Sequence, residues 1–260
     1  MQRYFERLGL GSLPPVLDSL RRLHVAHLGA FPFHNLTIQR GGTVDLGVGS
    51  ILERFLAPGG GGYCFEQNTL FAAAVRELGF EVTTLLARVG PPEARALNHM
   101  LLRVDVDGEP WLADVGFGGD GPLEPLLLRD GETVIQRGIG YSLQRDAHHW
   151  SLRIHRGAEQ EELYEFSGAP HTAADVAMAN HWTATHPQSI FRRSLTIQRV
   201  TREERLILRP AVVTRYREGL REDTVIDRSA IRSHARELFG IELGDAPLLF
   251  ETEPSMLAES

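Results

Sequence analysis

Three residues carry the chemistry this sequence suggests: one thiol, one imidazole and one carboxylate. Cys64 is the only cysteine in the chain. It follows Gly-Gly-Gly-Gly-Tyr and precedes FEQNTLFAAAV, which reads as a helix. A thiol at a helix N-terminus faces unpaired backbone N–H groups and the positive end of the dipole, and both favour thiolate. The same N–H groups can hold an oxyanion formed on an acyl group that the sulfur attacks. The glycines would let backbone approach a substrate closely. A buried cysteine acting as a small hydrophobe after a flexible loop fits the same residues, and the local sequence leaves both readings open. A phosphate loop is rejected, because no Gly-Lys-Ser/Thr follows the glycines and no strong strand precedes them.

A nucleophilic thiol needs a base, and the base needs an orienting acceptor. HMLLRVDV, Asp107-Gly108 and EPWLADV read as a hairpin closed by a two-residue type I′ turn. In that register Val106 faces Glu109, His99 faces Gly116 and Asp114 faces Leu101. His99 and Asp114 become diagonal neighbours about 7–8 Å apart, within reach of side chains that lean together. Gly116 opposite His99 leaves room for a ligand. The plainer alternative is a solvated strand histidine and a turn aspartate, and a one-residue slip would separate the pair. The remaining candidates are weaker. His148 and His149 are adjacent, so on a strand they point apart and share no metal. His24 and His27 lie on a helix that looks packed or surface-bound. With no H-E-x-x-H and no acidic cluster, no metal site is expected. Arg192, Arg193, Arg199 and Arg202 form a basic cluster, either a solvated strand face or a contact for an anionic cofactor tail.

The elements that must position these groups read as helical, then β, then mixed. Leu17, Leu20, Leu23, His27 and Leu28 fall at helical spacing. Ser50 and Glu53 suggest a capping box ahead of Ile51, Leu52, Phe55 and Leu56, stopped by Pro58 and the glycines. Phe71, Val75 and Leu78 mark another helix ending near Gly79. EVTTLLARV, the hairpin, SLQRD, HHWSLRIHR and LYEF read as strands. Residues 173–184 suggest a short helix, FRRSLTIQRV and ERLILRPAVV further strands, and Asp227 a cap for a helix ended by Gly240. The boundaries expected are 1–80 helical with the cysteine, 81–185 β with His99 and Asp114, and 186–260 α/β. With 260 residues the chain has ample length for a core. Its net charge of −7 argues against a general nucleic-acid or anionic-membrane binder. No apolar run approaches the ~18 residues of a membrane span, and MQRYFERLGLGS lacks the long apolar stretch expected of a secretory signal. The expectation is a soluble cytoplasmic protein.

The segments around these residues resemble the arylamine N-acetyltransferase family (N-hydroxyarylamine O-acetyltransferases). GGYCFEQNTLF is similar to its cysteine motif. NHMLLRVDVDGEPWLADVGFGG is similar to its His strand and Asp-Val-Gly-Phe-Gly segment, FPFHNLTI to its Pro-Phe-Glu-Asn-Leu segment, and HWTATHPQSIF with LTIQR to its inter-domain segment. The resemblance implies an α+β fold: an N-terminal helical bundle, a central β-barrel and a C-terminal α/β lid around a cysteine-protease- or transglutaminase-like Cys-His-Asp core. It implies a ping-pong reaction in which acetyl-CoA acylates Cys64, with His99 as base and Asp114 as orienter. An arylamine, hydrazine or N-hydroxyarylamine then takes the acetyl group. Phe33 and Phe117 match aromatic positions of the acceptor pocket, and Gly116 and Gly118 match glycines of the substrate-entry loop. The implied partners are acetyl-CoA and a small amine, in a monomer or weak homodimer, with no metal, nucleic acid or membrane. Other outcomes of the same architecture are an amide synthase acting on carrier-bound polyketide, a transglutaminase- or papain-like hydrolase, or a degenerate binder.

Two positions depart from the family pattern. Gly60 stands where the family usually has arginine, and His34 where it usually has glutamate. Losing one member of such an ion pair would strand a charge, so the pair is expected to be deleted as a unit, leaving a looser loop before Cys64. On that reading Gly60→Arg alone destabilises, and His34→Glu with Gly60→Arg does not.

Overall fold

The structure is a computed structural model describing residues 1–91 and 95–252. The apolar periodicity of the first part folds as α1 (Gln2–Leu8), α2 (Leu17–Ala30), α3 (Leu36–Gln39), α4 (Val48–Leu56) and α5 (Cys64–Glu77). α4 begins earlier than the Ser50–Glu53 pattern suggests. Gly47 is its N-cap, and the Asp45 carboxylate accepts from the Gly47 N–H and Ser50, so Ser50 sits inside the helix. α5 is buried on nearly every side, with Phe65, Leu70, Phe71, Ala72, Ala74 and Val75 in the core. It starts at Cys64 because Tyr63 is extended and its N–H donates to the Glu66 carboxylate at 3.1 Å, which satisfies a donor the helix leaves unpaired.

The second part is β2 (Glu81–Arg88), β3 (Leu97–Val106), β4 (Glu109–Ala113), β5 (Leu126–Leu127), β6 (Thr133–Gln136), β7 (Ile139–Arg145), β8 (Trp150–Arg156) and β9 (Glu159–Phe166). They form one antiparallel, barrel-like sheet in the order β5-β4-β3-β2-β9-β8-β7-β6. The β3–β4 register is the expected one: Val106 pairs with Glu109 and Leu102 with Ala113. Asp107 and Gly108 both have positive φ, 53° and 80°, as a type I′ turn requires. Laddering stops at Ala113, so Asp114 leaves the strand.

α6 (Ala173–Thr185) is N-capped by Thr172 with Asp175. FRRSLTIQRV is not one strand: residues 190–193 form a helical turn, α7 (Ile190–Arg193), because Ser189 caps the Phe191 N–H, and only β10 (Ile197–Val200) is extended. ERLILRPAVV is a hairpin, β11 (Glu204–Arg209) and β12 (Val212–Arg217), turning at Ala211 with φ 69°. β13 (Leu220–Val225), α8 (Ile231–Phe239) and α9 (Leu249–Thr252) complete the described chain. Asp227 caps the short 3-10 turn that leads into α8, and Gly240 ends α8 in the left-handed region. A fifth strand of this second sheet comes from far away: β1 (Phe33–His34), between α2 and α3, pairs with β10.

The glycine run is not loose. The His34 N–H donates to the Gly62 carbonyl at 3.0 Å, and Phe33 bridges Gly62. A Cβ on Gly60 would lie 2.1 Å from the Arg54 carbonyl oxygen and 2.7 Å from that of Phe55; one on Gly61 would lie 2.1 Å from the Pro32 oxygen. These glycines admit the protein's own backbone rather than a substrate. This overturns both the looser loop and the paired restoration, since any side chain at 60 meets backbone whatever stands at 34. Gly60→Ala is expected to lower unfolding free energy by about 3 kcal/mol in urea titration. His34→Glu with Gly60→Arg is expected to melt no higher than Gly60→Arg alone.

Candidate active site

Cys64 is the first residue of α5, 2% exposed, its Sγ 3.9 Å from the Asn98 carbonyl oxygen. That carbonyl is placed by an irregularity in β3. Ala87 pairs with His99 and Arg88 with Leu97, so Asn98 is the extra residue of a bulge. The Asn98 side chain holds the bulge by accepting from the Val89 N–H at 2.8 Å and donating to the Val89 carbonyl at 3.0 Å.

His99 Nε2 meets Asp114 Oδ2 at 2.7 Å. Its other nitrogen, Nδ1, is left free of Asp114, and the Cys64 thiol lies near enough to the ring to help raise its pKa. Asp114, 2% exposed, accepts three further hydrogen bonds: from Asn68 Nδ2 at 3.0 Å, its own turn's Gly116 N–H at 2.9 Å and the Tyr164 hydroxyl at 3.0 Å. Burial disfavours the charge on both partners. Their mutual attraction and these donors win: His99 is pushed up to about 10, and Asp114 is held below the usual carboxylate range.

A second ring of groups orients the first. Asp114 N–H donates to His24 Nε2 at 3.2 Å, so His24 carries its proton on Nδ1 and gives it to the Leu123 carbonyl at 2.8 Å. His27 lies between the Tyr4 hydroxyl and Gln67 Oε1, each at 2.7 Å, and Gln67 Nε2 reaches the Pro32 and Gly62 carbonyls. Burial pushes His24 down to about 4 and His27 to about 3, so both are neutral braces. Arg54 donates to Glu66 at 2.7 Å and to the Asp45 carbonyl at 3.0 Å. The helix-capping carboxylate thus takes its cation from α4, while His34 stands buried and neutral, held down at about 4 by burial.

Phe117 stands edge-on to His99, centroids 5.4 Å apart, and packs on Tyr164. Phe33 is buried against Phe191, and a Cβ on Gly118 would meet its ring at 2.5 Å. Gly116 does not leave room for a ligand. Its Cβ position is taken by Asn68 Nδ2 at 2.5 Å and Cys64 Cα at 2.8 Å, so the glycine lets the Asp114 turn pack onto the nucleophile's helix. The four arginines are spread over different elements. Arg192 and Arg193 lie on α7, Arg199 is 3.5 Å from Glu204, and Arg202 borders a cavity of about 610 Å³ with Arg21, Trp111 and Arg137. None of Cys64, His99 and Asp114 lines that cavity. His148 and His149 sit on a turn where Asp146 accepts both of their N–H groups. Asn68, Tyr164, His24 and Asn98 escape a reading of the sequence. Only Asn68 leaves a signal there, one helical turn after Cys64.

A helix-borne thiol, an imidazole beside it and a buried carboxylate behind the imidazole are the groups that cysteine acyl transfer and cysteine hydrolysis both require. The N-acetyltransferase family profile matches residues 16–248. The arylamine N-acetyltransferase / N-hydroxyarylamine O-acetyltransferase of Salmonella typhimurium is 35% identical over 253 residues, spanning 94% of this chain and 90% of its own. The Escherichia coli arylamine N-acetyltransferase is 33% identical, spanning 95% and 90%. The structure of Mycobacterium marinum arylamine N-acetyltransferase in complex with CoA matches with a TM-score of 0.86 at 33% identity, over 93% of this chain and 94% of that one. The chain belongs to the arylamine N-acetyltransferase family and is an acyltransferase.

The sign of the His99 shift fixes a pH dependence. A histidine raised from 6.5 to about 10 contributes stability that is full below 6.5 and lost as pH rises to about 10. Asp114→Asn strands the imidazole in a buried site and is expected to cost about 3–5 kcal/mol at pH 6. Urea titrations across pH should show the gap to wild type narrowing steadily between pH 6.5 and 10.

Proposed function

We propose that this chain moves an acetyl group from acetyl-CoA to arylamines, arylhydrazines or N-hydroxyarylamines through a thioester on Cys64. The observation that carries the reading is His99 bonded through Nε2 to the buried Asp114 and interacting with Cys64, with the Phe117 ring edge-on beside it.

In the first half-reaction the Cys64 sulfur, its proton held by His99, attacks the acetyl carbonyl carbon. The N–H groups that begin α5 face the developing oxyanion. The bond from carbonyl carbon to CoA sulfur breaks, and CoA takes the His99 proton and leaves as a thiol. Exchange between two thioesters is nearly isoenergetic, so the acetyl-enzyme stores the group. An arylamine is neutral at pH 7, so its lone pair is free to attack. In the second half-reaction its nitrogen forms the amide bond, its proton passes to His99, and the Cys64 sulfur departs to restore the starting pair. Asp114 holds the imidazole by Nε2, which leaves Nδ1 free for the sulfur's proton. The half-buried Phe117 supplies a flat apolar wall for an aromatic acceptor. Phe33 and the glycines Gly116 and Gly118 shape the same loop.

The deciding experiment is incubation with acetyl-CoA and no amine, followed by peptide mass spectrometry. A single acetyl group on the Cys64 peptide, discharged by an arylamine and absent in Cys64→Ala, is expected. Intact acetyl-CoA with unmodified Cys64 would refute the reading. Release of amine from peptide amides without acetyl-CoA would favour a hydrolase, and turnover only with a carrier-bound acyl group an amide synthase. Asp114→Asn is expected to slow acetyl-enzyme formation by about 10³–10⁴-fold.

A further inference from the structure

Phe117 lies on a loop, residues 116–121, that has no ladder or helix to hold its shape. Its conformation is fixed by Asp120. The Asp120 carboxylate bonds the Arg156 guanidinium from β8, and its other oxygen lies 3.5 Å from Arg205 Nη1, from β11. Arg205 is buried, and its Nη2 donates to the Gly121 carbonyl at 2.5 Å. The Tyr141 hydroxyl of β7 donates to the Asp120 carbonyl at 2.9 Å, and Gln198 of β10 donates to the Phe117 carbonyl at 3.2 Å. The loop is therefore held from the barrel on one side and from the second sheet on the other, through charge-assisted bonds that fix direction as well as distance.

The ring cannot turn independently of this loop. A Cβ on Gly121 would lie 2.9 Å from Phe117 Cβ, and one on Gly119 3.0 Å from its Cε1, so the ring lies on the loop's own backbone. Its opposite neighbours are His99 and Tyr164. We infer that Asp120, clamped between Arg156 and Arg205, is a positioning residue that fixes Phe117 beside His99 and so sets how bulky a reagent or acceptor reaches Cys64. The acceptor half of this inference rests on the function proposed above; the access half does not.

The test compares wild type with Arg156→Gln and Asp120→Asn, each first checked for a cooperative melt. Cys64 is alkylated with iodoacetamide and with its bulkier N-phenyl analogue. A general loosening of the protein speeds both reagents together, whereas a displaced Phe117 favours the bulky one. The bulky-to-small rate ratio is expected to rise about tenfold in both variants and to return to within about twofold of wild type in Arg156→Lys, which restores the charge. In acetyl transfer, kcat/KM for a two-ring aminoarene relative to aniline should shift by a similar factor. If Asp120→Asn does not fold, Arg156→Gln carries the test, because Arg156 is 26% exposed and Arg205 still faces Asp120. An unchanged ratio in a folded variant overturns the inference. So does unfolding of both, which would make the clamp a stability element only. If wild type forms no acetyl-enzyme, the function reading fails while the alkylation ratio still decides this one.

Discussion

A carboxylate taken almost wholly out of water organises this molecule. Asp114 is charged in a place where burial opposes charge, and it stays charged because four donors converge on it. Those donors come from β3, α5, β9 and its own turn, and its backbone N–H is taken by α2 through His24. Removing the carboxylate would leave the His99 Nε2, the Tyr164 hydroxyl and the Gly116 N–H without this partner, while Asn68 Nδ2 would keep the Met100 carbonyl. The arrangement of helices against the barrel is thus the arrangement that satisfies Asp114, and His99 is oriented as one of its donors.

Burial alone does not decide what a histidine does here. His24, His27, His34 and His99 are all buried, yet three are pushed down to about 3 or 4 and one up to about 10. The difference is the partner. His24 and His27 face carbonyl, amide and hydroxyl groups, which a neutral ring satisfies with one donor and one acceptor. His99 faces a carboxylate and a sulfur. The neutral His24 and His27 serve as two-ended braces, whereas His99 is held in its charged form by the carboxylate it faces.

The loop before Cys64 is closed by backbone contacts and by one ion pair, with no charge at 34 or 60. Glu66 is nearly buried and caps the start of α5, so its charge needs a cation. Arg54 supplies it from α4. The chain then passes so close to the end of α4 that only glycine fits at 60. The backbone of α4 thus fills the space beside Gly60, and the cation that Glu66 needs comes from the same helix.

Some of this was legible in the sequence by itself. The Asp107-Gly108 turn signal indicated the hairpin register, because a two-residue type I′ loop pairs the residues that flank it. With it came the nearness of His99 and Asp114, although the ladder ends at Ala113 and the carboxylate reaches the imidazole from the turn beyond it, and the helical periodicity after Cys64 put the thiol at a helix start. These are local facts, set by neighbouring residues and backbone sterics. Tertiary structure alone decided the rest. Tyr164 reaches Asp114 from 50 residues away, β1 joins a sheet whose other strands begin at Ile197, and the Asn98 bulge depends on β2. The space at Gly60 and Gly116 is taken by distant backbone and side chains, and the Asp120 clamp is closed by two strands of two different sheets. Such contacts leave no periodic trace, because close packing tests each residue against neighbours that only the folded chain brings together.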